Sequence, residues 1–220
     1  WAGYIGSTPG MGKLLEFAIP EFPLIVFFWH PVFSFILPVL TFEFRPILLA
    51  ALLDHYGHKG PAEIPQKRRF SYRFVTWRAQ QAGIPLRFPP AHPFNPLPAL
   101  RLALALGCRA GAIDAIFHHL WAEGRAGDSA AALAPVAACF GIDDAERAIA
   151  DPAVKAALRA NTEAAIAHGV FGVPTVELDG ELFWGEDATP MLRDWLADPA
   201  RFRSGELARV LDLPAAVQRA

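Results

Sequence analysis

Three sets of residues have types and spacings that could do chemistry. The first is residues 169–187, Gly-Val-Phe-Gly-Val-Pro-Thr-Val-Glu-Leu-Asp-Gly-Glu-Leu-Phe-Trp-Gly-Glu-Asp. Val173-Pro174 opens a strand with a residue that cannot donate to a ladder, through the one kind of peptide bond that is readily cis. The segment ends on two adjacent carboxylates, Glu186 and Asp187, just before a helix start at Thr189-Pro190. The second set is Asp114, His118, His119 and Glu123. On a regular helix Asp114 pairs with His118 and His119 with Glu123, but the pairs lie about 140° apart, so they cannot converge on one ion. No metal site is expected. The third is the cysteines, Cys108 and Cys139, far apart and both read as helical. Without a Cys-x-x-Cys pair, dithiol exchange is excluded. Two buried free thiols are expected, as in a reducing cytosol.

Elements must hold the first set in place. Asp179-Gly180 between apolar runs is a two-residue hairpin turn, since both positions take positive φ. The helix before it opens at Asp151-Pro152, an N-cap acid followed by proline, and stops at His168-Gly169. Leu14 to Ile19 reads as a first strand and Leu40 to Phe44 as a second, ended by Arg45-Pro46. Ile47 to His55 is short and apolar. Pro65 to Gln81 reads as a helix with Phe70, Phe74 and Trp77 along one face. Six prolines between Pro85 and Pro98 exclude regular structure and predict a stiff surface run that can wall a groove. Leu97 to Glu123 reads as one long helix, Ser129 to Cys139 as another, and Thr189-Pro190 starts a last amphipathic one.

The order is strand, helix, strand, a helical block, then two strands and a helix. It gives an α/β class: a thioredoxin-like sheet (strand-helix-strand plus strand-strand-helix) with a large all-helical insertion. The expected division is a discontinuous domain of residues 13–50 and 169–214, with residues 51–168 as the helical insertion.

Composition narrows the function. Of 220 residues, 53% are hydrophobic and 19% charged, with a net charge of −2. That suits a large buried core and gives no basic stripe for nucleic acid. Lys67-Arg68-Arg69 reads as a solvated helix face. The stretch Phe22 to Phe42 is as long as a membrane span, but Pro23, Pro31 and Pro38 interrupt it and no basic flank follows. A buried core element is expected there, and no membrane partner. The chain opens on Trp1, which leaves room for a preceding targeting segment.

The run Gly-Val-Phe-Gly-Val-Pro-Thr, the Asp-Gly hairpin and Phe-Trp-Gly-x-Asp resemble the DsbA-related thioredoxin-like proteins. More narrowly they resemble the 2-hydroxychromene-2-carboxylate isomerases and the kappa-class glutathione transferases. Arg45-Pro46-Ile47-Leu48-Leu49, the loop from Gly57 to Arg68 and Phe94-Asn95-Pro96-Leu97-Pro98-Ala99-Leu100-Arg101 carry the likeness through residues 40–200. It implies glutathione as cofactor, bound extended, with the main chain of Val173 before Pro174 pairing its cysteine as an added strand would. It implies Glu186 and Asp187 on the γ-glutamyl amino group, Asp187 alternatively being a simple helix-start acid. His58 stands where the family carries asparagine, and a solvent-exposed loop histidine is the alternative.

Arg45 and Arg101 become candidates for a substrate carboxylate, Phe94 and Trp184 for walling an aromatic ring, and Asn95 for substrate binding. The family's thiolate-stabilising serine, before a proline at the first helix, falls on Glu21-Phe22-Pro23, where no serine stands; Ser34 is the poor remaining candidate. The resemblance implies a glutathione-dependent isomerase of 2-hydroxychromene-2-carboxylate or a similar aromatic-catabolic keto acid, working as a cytoplasmic homodimer. Two alternatives stay open: a kappa-like glutathione transferase or peroxidase, and a non-catalytic thioredoxin-fold binding protein without the serine.

Overall fold

The computed structural model describes residues 2–3, 14–17 and 41–217. Its strands are β1 (Ala2–Gly3), β2 (Leu14–Phe17), β3 (Thr41–Phe44), β4 (Pro46–Ile47), β5 (Thr175–Leu178) and β6 (Glu181–Trp184). The main sheet has the order β3-β2-β5-β6. β2 runs parallel to β3 and antiparallel to β5, and β5 and β6 form the hairpin. The parallel β2–β3 pair and the β5–β6 hairpin meet in one sheet as expected, and residues 18–40, where the intervening helix is expected, lie outside the described residues. Asp179 and Gly180 turn the hairpin at φ 52° and 85°, which sets the register Leu178↔Glu181 through Thr175↔Trp184.

The helices are α1 (Leu49–Tyr56), α2 (Pro65–Gln81), α3 (Leu97–Ala105), α4 (Ala110–Phe117), α5 (Ala130–Cys139), α6 (Ala145–Ala150), α7 (Pro152–Ala167), α8 (Thr189–Ala197), α9 (Pro199–Phe202) and α10 (Gly205–Arg209). Side chains cap several of them as the sequence implies. Asp151 accepts from the Ala153 amide at 2.7 Å, Ser129 from Ala132 and Asp144 from Arg147. Two cores result. Leu100, Leu102, Ile116, Phe117, Leu120, Trp121 and Leu133 fill the helical block. Val176, Leu178 and Phe183 of the sheet pack on Leu192 and Trp195 of α8.

α7 ties the block to the sheet. Asn161 donates to the Pro46 carbonyl at 3.2 Å, and the Thr162 hydroxyl accepts from the Leu48 amide while donating to the Leu158 carbonyl. Main-chain groups in and just after β4 are thereby satisfied from a helix.

The single long helix expected over Leu97 to Glu123 is instead two, and the break has a local cause. The Cys108 amide reaches back to the Ala103 carbonyl at 2.9 Å and the Leu106 amide bonds Leu102. Gly107 and Cys108 both take positive φ, 69° and 52°. Gly107 supplies the left-handed residue that closes a helix, and the apolar periodicity on either side conceals it. A methyl group on Gly107 would meet no atom within 4 Å. Gly107→Ala is therefore expected to lower stability by conformational strain alone, about 1 kcal/mol, read from urea midpoints at unchanged m-value.

α4 runs on into a π turn, His118–Ala122, in which the Glu123 amide bonds the His118 carbonyl five residues back. The wider turn changes the expected pairing. Glu123 sits 3.5 Å from His118, not beside His119, while buried His119 contacts the Ala126 carbonyl at 3.0 Å. Among the described residues no group of three or more His, Cys, Asp or Glu is placed to hold a metal ion. The thiols also differ from expectation. Cys139 is exposed, and half-buried Cys108 lies in the turn between helices. Burial, with Glu43 nearby, pushes the Cys108 thiol up to about 11, so it stays protonated and is no nucleophile at neutral pH. No helix among the described residues is long and apolar enough to cross a membrane. Most of the Phe22 to Phe42 stretch lies outside the described residues.

Candidate functional site

The Val173-Pro174 step lies at the end of the sheet where β2 leaves it, since Phe17 pairs with Val176 just inside. The Val173–Pro174 peptide bond is cis. The Pro174 carbonyl accepts from the Gly185 amide at 2.9 Å, extending the β5–β6 ladder by one bond. Val173 makes no backbone hydrogen bond to another described residue. It lines a cleft of about 510 Å3, within the roughly 300–1,000 Å3 usual for small-molecule sites.

One wall of the cleft is Val173, Pro174, Trp184, Gly185, Glu186 and Asp187. Two glycines let this wall exist. Gly172 lies under the Trp184 indole, where a Cβ would come 2.5 Å from Nε1. Gly185 has φ 89° and ψ 161°, a region only glycine enters readily, and a Cβ there would come 2.3 Å from the Asp187 carboxylate. Phe171 meets Trp184 edge-on at 5.2 Å, holding the exposed indole upright. Glu186 and Asp187 form a short turn ahead of α8, and the Thr189 hydroxyl donates to the Glu186 carbonyl.

The other wall is α2. Lys67, Ser71, Phe74, Val75 and Arg78 line the cleft, the spacing of one helical face. Arg78 reaches across to Glu186 at 3.6 Å, with both side chains partly exposed. Such a pair is worth at most about 1 kcal/mol to the fold. The cleft thus has cations on one wall and acids on the other. The sequence reading missed this wall, taking Lys67 as part of a solvated face. The missed signal was the 67–71–74–75–78 spacing, which mixes polar and apolar types. The aromatic face of α2 also lies differently from a core face. Phe70, Phe74 and Trp77 are exposed, and Val75 and Ala79 are the residues buried.

The remaining candidates are placed elsewhere. His58 is exposed just past α1 and does not line this cleft. Arg45 donates to Glu43 at 2.8 Å. Arg101 has a buried Nε without a hydrogen-bond partner among the described residues. Asn95 accepts from the amide of Leu97, the first residue of α3, and Phe94 packs on the helical core near Trp121. Ser34 and Glu21-Phe22-Pro23 lie outside the described residues.

The proline run is held against α2 by an aromatic cluster of Tyr72, Phe88, His92 and Trp121. The Tyr72 hydroxyl donates to the His92 carbonyl at 2.8 Å and lies 2.5 Å from His92 Nδ1. With its proton so used, the hydroxyl accepts from Nδ1–H, which fixes the tautomer. Burial lowers the His92 imidazole to about 4. The unfolded chain takes up that proton near 6.5 and the folded chain only near 4, so the contribution is full at neutral pH and falls as pH drops through that window. Discounted for the ring's partial exposure, about 1–2 kcal/mol is expected to be lost between pH 7.5 and 4.5. Urea unfolding across this range checks it, and His92→Phe should reduce the difference.

One buried acid had no sequence signal. Glu177, on β5 opposite Glu16, is pushed up by burial, and His168 Nδ1 lies 3.1 Å from both its carboxylate oxygens.

A family model described as the DsbA-like thioredoxin domain matches residues 33–197. The chain belongs to that family. Within it, a 2-hydroxychromene-2-carboxylate isomerase from Pseudomonas putida is 32% identical over 158 residues, covering 70% of this chain and 78% of that one. Glutathione S-transferase kappa 2 from Caenorhabditis elegans is 27% identical over 71% of this chain and 79% of that one. This family member therefore groups with proteins named as isomerases and as glutathione transferases. A solved 2-hydroxychromene-2-carboxylate isomerase superposes with TM-score 0.68 at 24% identity, over 92% of this chain and 100% of that one. A probable DsbA oxidoreductase from Streptomyces coelicolor superposes at 0.61 and 18%, over 93% and 94%. Both show the shared fold. A second model, of an uncharacterized membrane protein family, matches residues 1–57.

Proposed function

We propose that this family member is a glutathione-dependent isomerase of 2-hydroxychromene-2-carboxylate or a similar aromatic keto acid. The observation that carries the reading is the cleft itself: the cis Val173–Pro174 step, acids beside it and cations along the facing helix. A peptide with an ammonium at one end and carboxylates at its ends meets complementary groups there. When bound, glutathione supplies a thiol whose thiolate can add to a conjugated carbon, permit bond rotation and leave again.

The chain's own residues bind and orient. The Val173 main chain offers an N–H and a C=O to an extended peptide in the manner of an added strand. Glu186 and Asp187 accept from an ammonium, and Lys67 and Ser71 donate toward a carboxylate. Trp184 and Phe74 present flat apolar surface on either side of the cleft, where an aromatic ring can stack. Under the same proposal the protein works as a cytoplasmic homodimer, as the family resemblance implies.

The test follows interconversion of 2-hydroxychromene-2-carboxylate and trans-o-hydroxybenzylidenepyruvate by absorbance, with and without glutathione. The expected result is equilibration that requires both protein and glutathione. No acceleration, combined with thiol conjugation of an electrophile such as 1-chloro-2,4-dinitrobenzene, would overturn the isomerase in favour of a transferase. That second reading has its own support in the kappa-class relative. Neither activity, with glutathione still bound, would favour the binding-protein alternative.

A further inference from the structure

We propose that Arg78 is the specificity residue for the α-carboxylate of the ligand's γ-glutamyl head, and that Glu186 holds it in reserve. The inference rests on the glutathione reading above and deepens it.

Arg78 and Glu186 face one another at 3.6 Å across the gap between α2 and the turn after β6. That distance is longer than a tight charge-assisted hydrogen bond of about 2.8 Å, and both groups keep access to solvent. The pair is therefore cheap to open. Asp187 stands beside Glu186 on the same wall, so the acid paired with Arg78 has a second acid next to it.

An α-amino acid head offers each of these groups a partner. Its ammonium goes to Glu186 and Asp187, and its carboxylate to the guanidinium so released. One ion pair becomes two, and the zwitterionic head adds no net charge to the cleft. Arginine suits this role, because its fork meets a carboxylate with two parallel donors.

The other end of α2 gives the direction of the ligand. Lys67 is eleven residues before Arg78 on the same face, about 16 Å along the axis. An extended tripeptide spans roughly 10–11 Å, and the two long cationic side chains cover the rest. A ligand with a carboxylate at each end lies along α2, its middle at Val173-Pro174. One with a single terminal carboxylate leaves Arg78 on Glu186.

The experiment is a calorimetric cycle on the full chain. Glutathione is compared with 4-aminobutyryl-Cys-Gly, which keeps the ammonium and lacks the α-carboxylate. Wild type and Arg78→Met are titrated with both. Wild type is expected to bind glutathione about tenfold tighter than the analogue. Arg78→Met is expected to lose that preference while binding the analogue as wild type does. A purely structural Arg78 would weaken both ligands alike, and that result, or no change with either, overturns the inference while leaving the glutathione reading in place. Failure of wild type to bind glutathione at millimolar concentration overturns both. Arg78→Lys keeps the charge without the fork and is expected to recover part of the preference.

Discussion

Gly185→Ala is expected to lose both stability and ligand affinity. The two losses have separate causes. At φ 89° and ψ 161° the backbone occupies a region costing an ordinary residue about 1–3 kcal/mol. The new Cβ would also lie 2.3 Å from the Asp187 carboxylate. A flexible side chain can move, so the clash adds little to the folding cost. It does displace Asp187 from the cleft. Urea unfolding should show a fall of about 2–3 kcal/mol, and calorimetry at a temperature where the variant is folded should show at least tenfold weaker glutathione binding. Unchanged affinity in the folded variant would mean Asp187 does not touch the ligand. Gly172→Ala offers a contrast, since its Cβ would strike Trp184 and spare the acids. It should affect an aromatic substrate more than glutathione.

Asp187→Asn should separate binding from folding. The residue is exposed at the turn before α8, so its help to the helix dipole is at most about 1 kcal/mol. A charge-assisted contact to a ligand ammonium is worth more, and glutathione affinity is expected to fall by roughly tenfold or more. The wild-type affinity should also weaken with salt more steeply than the variant's, because screening removes what the substitution has already removed. If Asp187→Asn reduces stability and leaves affinity alone, the acid serves only the helix.

Much of the frame was legible in the sequence because its signals are local. Asp179-Gly180, Asp151-Pro152, His168-Gly169 and Thr189-Pro190 each fix a turn or a helix end by the conformations their own residues allow. The site was half legible for the same reason. Val173, Pro174, Glu186, Asp187 and Trp184 lie in one short stretch, and the structure brings them to one wall. The facing wall is assembled at long range. Nothing in the order of Lys67, Ser71, Phe74 and Arg78 says that this face of α2 looks onto a β-turn more than 100 residues on. The same limit explains Phe94 and Arg101, whose motif was specific but whose side chains belong to or border the helical core. It also explains the pairing of His118 with Glu123: a π turn adds a residue that regular helical spacing does not foresee. Glu177 offers no pattern at all, since a single acid in a short apolar strand reads as an exposed position until the packing is known.

The central claim is that glutathione lies along α2 across Val173-Pro174, and amide and indole NMR shifts read it most directly. On titration with millimolar glutathione the amides of Val173, Gly185, Glu186 and Asp187, the Trp184 indole, and the 67–78 face of α2 should shift together. The indoles of Trp121 and Trp195, sealed in the two cores, should stay in place. Absence of shifts, or shifts confined to another face, would contradict the account.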